Sequence, residues 1–203
     1  MMTTPLPPSP SPPAVTRTPL HTRAVTYRGF ARGDGLWDIE GRMVDTKHYD
    51  MVQHEGNTLQ AGSPAHDMFI RVTLDDAFKL VDIQTGMAAT PFGECLDAAQ
   101  PMRCLIGATL GQGWRKKIDA ALGGERGCTH LRELLFNLAT AAFQTITPYR
   151  HHLMQQRGEE PTGQEAAPHF IGRCMSWGHG SPVVLRHYPK FFSARPAAQP
   201  DSP

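Results

Sequence analysis

Little in this chain tilts its charge: 20 Lys and Arg stand against 19 Asp and Glu, a formal net charge of +1. Without a whole-chain field to gather polyanions, neither nucleic acid nor an anionic membrane surface is an expected partner. A run of about 18 apolar residues is also missing, so nothing reads as a membrane span. The start lacks the basic segment followed by an apolar run that marks a secretory signal, and the expected location is the cytoplasm. Cysteine is scarce, at 4 of 203 residues. With no signal segment, reduced thiols open to metal or chemistry are expected rather than disulfides. Nucleotide motifs are absent too. Residues 107–113 are glycine-rich, but no Lys-Ser/Thr follows them and no strand precedes them; no Gly-x-Ser-x-Gly elbow occurs either.

What the chain does have is proline and glycine, 18 and 19 residues, with the prolines crowded toward the ends. Residues 1–24, with Pro-Leu-Pro-Pro-Ser-Pro-Ser-Pro-Pro, offer little apolar surface to offset ordering entropy and read as a disordered arm. Residues 193–203 read as a similar tail, leaving a single α+β domain over 25–192. Residues 155–168 form a polar loop before a last short unit. Over 36–44, Trp37, Ile39 and Met43 alternate with Asp38, Glu40 and Arg42, which predicts a half-buried strand whose acids face solvent. Met68, Ile70, Val72 and Leu74 predict a second strand. Asp75 and Asp76 turn the chain into a third over 79–87, with Val81, Ile83, Thr85 and Met87 on one face. Residues 95–106 and 108–122 favour helix in pieces, broken at Pro101 and at Gly111 and Gly113. Leu131, Leu134, Leu135, Leu138 and Ala142 share one helical stripe, in a helix ending near Pro148. Residues 181–188, with Val183, Val184 and Leu185, suit a final strand. Strands first and helices after predict α+β: a small, mostly antiparallel sheet packed against several helices.

The chemistry centres on Gly127-Cys128-Thr129-His130. Glycines permit a tight turn there, and the following helix directs its positive end toward the thiol, which favours the thiolate needed for metal binding or nucleophilic attack. The plainer alternative is a small packed cysteine with Thr129 as cap. A metal site needs more ligands, and two further segments adjoin turns. One is His66-Asp67 after Gly62-Ser63-Pro64; the other is Cys95 after Pro91-Phe92-Gly93. Cys104, between apolar helical positions, is expected to be buried. Cys174 shows no ligand spacing.

Three stretches together resemble a bacterial family of uncharacterised domains, catalogued as a domain of unknown function: Gly35-Leu36-Trp37-Asp38-Ile39-Glu40-Gly41, His66-Asp67-Met68 and Gly127-Cys128-Thr129-His130-Leu131. The resemblance covers roughly residues 26–190 and implies no activity, cofactor or partner. More remotely, the order of features from Pro64 to Ala142 is similar to the NifU/IscU-type iron–sulfur scaffold proteins. That similarity implies an IscU-like topology and a metal set of His66, Asp67, Cys95 and Cys128. His66 stands where that family has a cysteine, and His130 follows the last ligand position instead of preceding it, as ligand or supporting group. By donor type the set suits zinc or iron, with an iron–sulfur cluster less favoured. The leading expectation is therefore a metal-binding or scaffold-like domain. One alternative is an enzyme with Cys128 as nucleophile and His130 or His66 as base, acting on acyl or thioester substrates. The other is a non-catalytic domain that binds a protein partner.

Overall fold

The computed structural model describes residues 15–159, 167–168 and 170–193. The arm up to residue 14, the tail from 194 and residues 160–166 of the 155–168 loop lie outside them. Four antiparallel strands make the main sheet, β1 (His21–Ala31), β2 (Trp37–Lys47), β5 (Pro64–Leu74) and β6 (Leu80–Ala89), in the order β1-β2-β5-β6. A two-stranded ribbon, β3 (Met51–Val52) and β4 (Thr58–Leu59), lies between β2 and β5 in sequence. Three α-helices follow, α1 (Trp114–Leu122), α2 (Thr129–Gln156) and α3 (Pro182–His187). The architecture is α+β: an antiparallel sheet with several helices. The described residues divide after Arg150 into two compact units.

The sheet forms because its alternation gives one face to the core. Trp37, Ile39, Met43, Met68, Ile70, Val72 and Leu74 point inward and are buried with the apolar stripe of α2, Leu131, Leu134, Leu135, Leu138 and Ala142. Trp114 and Ile118 of α1 join the same core, and Trp114 donates its indole N–H to the Leu135 carbonyl at 2.9 Å. The opposite face carries polar cross-strand pairs: Thr73 donates to Asp38 at 2.7 Å and Arg71 to Glu40 at 3.2 Å. Asp38 and Glu40 thus sit where strand alternation predicts, on the solvated side.

Helix α2 runs along β1 in the same direction. Its early residue Glu133 meets Arg23, Leu134 accepts a bond from the Tyr27 hydroxyl at 3.1 Å, and Thr145 lies against Gly29. A Cβ on Gly29 would overlap the Thr145 side chain. Only glycine permits that approach of strand to helix.

Several elements differ from the sequence expectation. β1 begins at His21, inside the stretch read as an arm, and escapes hydrophobic-pattern reading because its residues are exposed apart from the half-buried Tyr27. α2 does not stop near Pro148 but runs to Gln156. Beyond the proline, Tyr149 packs edge-on to Trp37 at 5.9 Å between ring centres, and Arg150 donates to the Asp76 carbonyl at 3.1 Å. These contacts oppose the lost backbone bond. In β6 a register shift opposite Thr73 and Leu74 puts Leu80 inside, leaving Val81 44% exposed. Residues Gly93–Leu105 wind as a 3-10 helix through Pro101, with Cys104 exposed rather than buried. The expected strand at 181–188 is instead α3: Ser181 caps it, accepting from the Val184 N–H at 3.2 Å, and Pro182 follows at its start. No helix among the described residues is long and apolar enough to cross a membrane.

Candidate metal centre

One row of residues crosses three strands on the helix-covered face, at the end where β1 begins and β2 ends. In the antiparallel register Arg23 of β1 is opposite Asp45 of β2, and Asp45 is opposite His66 of β5. Asp45 continues the inward phase of Trp37, Ile39 and Met43 and is buried, 3% exposed. A carboxylate there survives only if its oxygens are satisfied. They are: Oδ1 accepts from Arg23 Nε at 2.8 Å and His21 Nε2 at 3.0 Å, and Oδ2 from Arg23 at 2.9 Å and His66 Nδ1 at 3.1 Å. The β2–β5 register shifts immediately after Asp45, the kind of irregularity that re-aims side chains at functional positions.

Over this row sits the first turn of α2. The His130 ring packs against that of His66, with centres 4.0 Å apart and planes tilted by 40°. Cys128 immediately precedes the helix, its carbonyl accepting from the Arg132 N–H at 3.0 Å, and its Sγ lies 3.8 Å from His130 Nδ1. Glu133, one turn beyond His130, takes the remaining Arg23 nitrogen at 2.7 Å. Asp45, His66 and His130 each offer a ligand atom, and the three lie within 4.8 Å of one another.

Charge states follow from the surroundings. Burial works to raise the Asp45 carboxyl, but hydrogen bonds and charge from Arg23 and His21 carry it down to about 2, so it is ionised. An ionised carboxylate only accepts, so His66 donates from Nδ1 and keeps a bare lone pair on Nε2. Burial holds His66 below the ordinary histidine value, against the pull of Asp45 and with help from the Arg23 and Lys47 charges. Burial likewise lowers His130, aided by His66 and Arg23. Two neutral imidazoles face each other beside one fixed negative charge. This donor set suits a divalent transition metal.

The sequence-predicted set is divided by the fold. His66 and His130 meet, and Cys128 touches His130. Asp67 follows His66 on a strand and so faces the other way, where Arg42 holds it through bonds of 2.8 and 2.6 Å and keeps its carboxyl below the usual range. Cys95 lies half-buried in the 3-10 stretch Gly93–Leu105 and is not in the metal-competent group found among the described residues. Asp45 and Arg23 were not anticipated. The readable signal was an acid in phase with the buried set of β2, one residue beyond the expected end of that strand.

Comparison with known proteins adds a single finding: residues 21–144 match the family described as "Protein of unknown function (DUF2889)". That span contains Arg23, Asp45, His66, Cys128 and His130. No curated protein and no solved structure matches the chain.

Proposed function

Since the chain belongs to the DUF2889 family, whose description assigns no activity, we propose from the geometry of its centre that it is a metal-binding domain. Asp45, His66 and His130 hold one divalent ion of the zinc or ferrous type. The observation that carries this is the convergence of three ligand atoms within 4.8 Å of one another, from three separate elements. Bonds of about 2.0–2.2 Å need donors closer than that, so shifts on the order of 1 Å complete the site. Two imidazoles and a carboxylate leave coordination positions for water or a substrate oxygen, the pattern of reactive rather than purely structural centres. Of the cysteines, Cys128 is the one in contact with this group, and a cysteine-ligated cluster gains no support from Cys95, Cys104 or Cys174.

The test is metal content and affinity. Untagged protein, stripped with chelator and titrated with zinc or cobalt(II), is expected to take up one equivalent and to lose it in His66→Ala and His130→Ala. Uptake below about 0.2 equivalents by the parent chain under anaerobic conditions would overturn the proposal.

A second reading rests on the 3.8 Å approach of Cys128 Sγ to His130 Nδ1, a nucleophile–base contact at a helix start, suited to acyl or thioester substrates. Alkylation separates the two readings. Selective labelling of Cys128 that is indifferent to zinc supports the nucleophile; labelling that zinc suppresses supports the metal.

A further inference from the structure

Resting on the reading of this site as a metal centre, we infer that Arg23 is its internal stand-in cation: the guanidinium occupies Asp45 until a divalent ion arrives, and is then carried by Glu133 alone.

The argument begins with the oxygens of Asp45. A carboxylate has about four in-plane acceptor positions, and here Arg23 fills two, His21 one and His66 one. No position is left for an ion, so the bonds to Asp45 must rearrange before it ligates. His66, as a ligand of the same ion, gives up its Nδ1 bond to Asp45 as its ring turns to the metal, and His21 holds the carboxylate by a single bond. Arg23 carries a permanent charge, because a guanidinium does not lose its proton in a protein, and would oppose an incoming dication across a few ångströms. Arginine is therefore the group that departs.

A destination is already in place. While Nε and one terminal nitrogen grip Asp45, the other terminal nitrogen is bonded to Glu133 Oε2 at 2.7 Å. Glu133 lies three residues after His130, on the same side of α2. The Arg23 side chain is 34% exposed and that of Glu133 48%, against 4% for Asp45, so the guanidinium can swing outward without entering the core. Asp45 has a cation beside it in both states. Before binding, Arg23 neutralises the buried Asp45; afterwards the dication sits against it and Arg23 pairs with Glu133 at the surface, so the sum over Arg23, Asp45, Glu133 and the ion passes from −1 to +1. A monovalent ion gains too little from Asp45 to displace the guanidinium, so the device selects dications.

The experiment is a calorimetric zinc titration of the chelator-stripped, full-length chain and two variants, beside nitrogen-15 spectra of the arginine Nε–H groups. Arg23→Gln is expected to bind zinc at least about tenfold more tightly than the parent, the lower end of what outer groups do to metal affinity. Glu133→Gln is expected to bind several-fold more weakly, since Arg23 then has no second carboxylate to retire to. In the parent, the Arg23 Nε–H signal should move on zinc addition as its bond to Asp45 breaks. If the parent binds zinc but Arg23→Gln binds no tighter, or the Nε–H signal stays in place, the stand-in role is overturned and the metal reading stands. If the parent and both variants fail to bind zinc, the metal reading falls and this inference with it. Should Arg23→Gln not fold, the parent spectrum and Glu133→Gln decide the matter alone.

Discussion

Asp45 shows how a single residue can be legible and still be passed over. The alternation Trp37, Ile39, Gly41, Met43 continues into it, so parity alone places its carboxylate inside. Hydrophobicity ends one residue earlier, and a reading based on apolar content stops there. His66 and His130 are legible through turn and helix-start signals, but their meeting depends on how α2 lies over the sheet, which no local pattern encodes. Two neighbours on the same face can be tested directly. Gly29→Ala would drive a methyl into Thr145 and is expected to destabilise the chain by about 1–3 kcal/mol in urea unfolding. Adding Thr145→Ala should restore part of the loss; no restoration would mean the clash is relieved elsewhere. Tyr27 gives a pH test. Burial raises its phenol from 10.0 to about 12, against an opposing bond with Asn137. The unfolded chain then loses this proton near pH 10 while the folded chain keeps it. Stability should therefore decline from pH 10 toward 12, and decline less in Tyr27→Phe. Equal slopes for the two proteins would refute the assignment.

Among the elements, those with a two-sided pattern were readable and those without one were not. β2, β5 and the stripe of α2 announce themselves because one face is apolar and the other polar. β1 has no such contrast, since an edge strand bonded along one side needs little apolar surface. Its role follows from partners elsewhere in the chain. At α3 two local signals conflict: Val183, Val184 and Leu185 favour a strand, while Ser181 and Pro182 announce a helix start. Capping prevails, with the Ser181 hydroxyl also donating to the Ser176 carbonyl at 2.6 Å. Ser181→Ala should destabilise this element by about 0.5–2 kcal/mol. Limited proteolysis within residues 182–187 would show it as faster cleavage, and an unchanged rate would deny the cap its importance.

At the scale of the whole chain, the centre belongs to the unit that ends at Arg150, and its members come from β1, β2, β5 and the start of α2. An ion bound only by the folded state stabilises it by mass action, about 2.7 kcal/mol at a concentration 100 times the dissociation constant. Zinc should therefore raise the melting temperature of the parent but not of His66→Ala or His130→Ala. Asp67→Asn and Cys95→Ser should retain the rise, because Asp67 is committed to Arg42 on the opposite face and Cys95 lies outside the convergent group. Loss of the rise in either variant would return those residues to the ligand set.

β1 is paired with β2 along one edge, and among the described residues its other edge has no strand partner. A segment held on one side is the first to detach in local unfolding, at a free energy well below that of the whole domain. Because this same segment carries Arg23 and His21, their bonds to Asp45 add a side-chain hold to the ladder that seats the edge strand. An ion that drew Asp45 away from Arg23 would leave the sheet tighter at β2 and β5 and looser at its margin. The domain would thus register occupancy of its interior as fraying of a single outer strand.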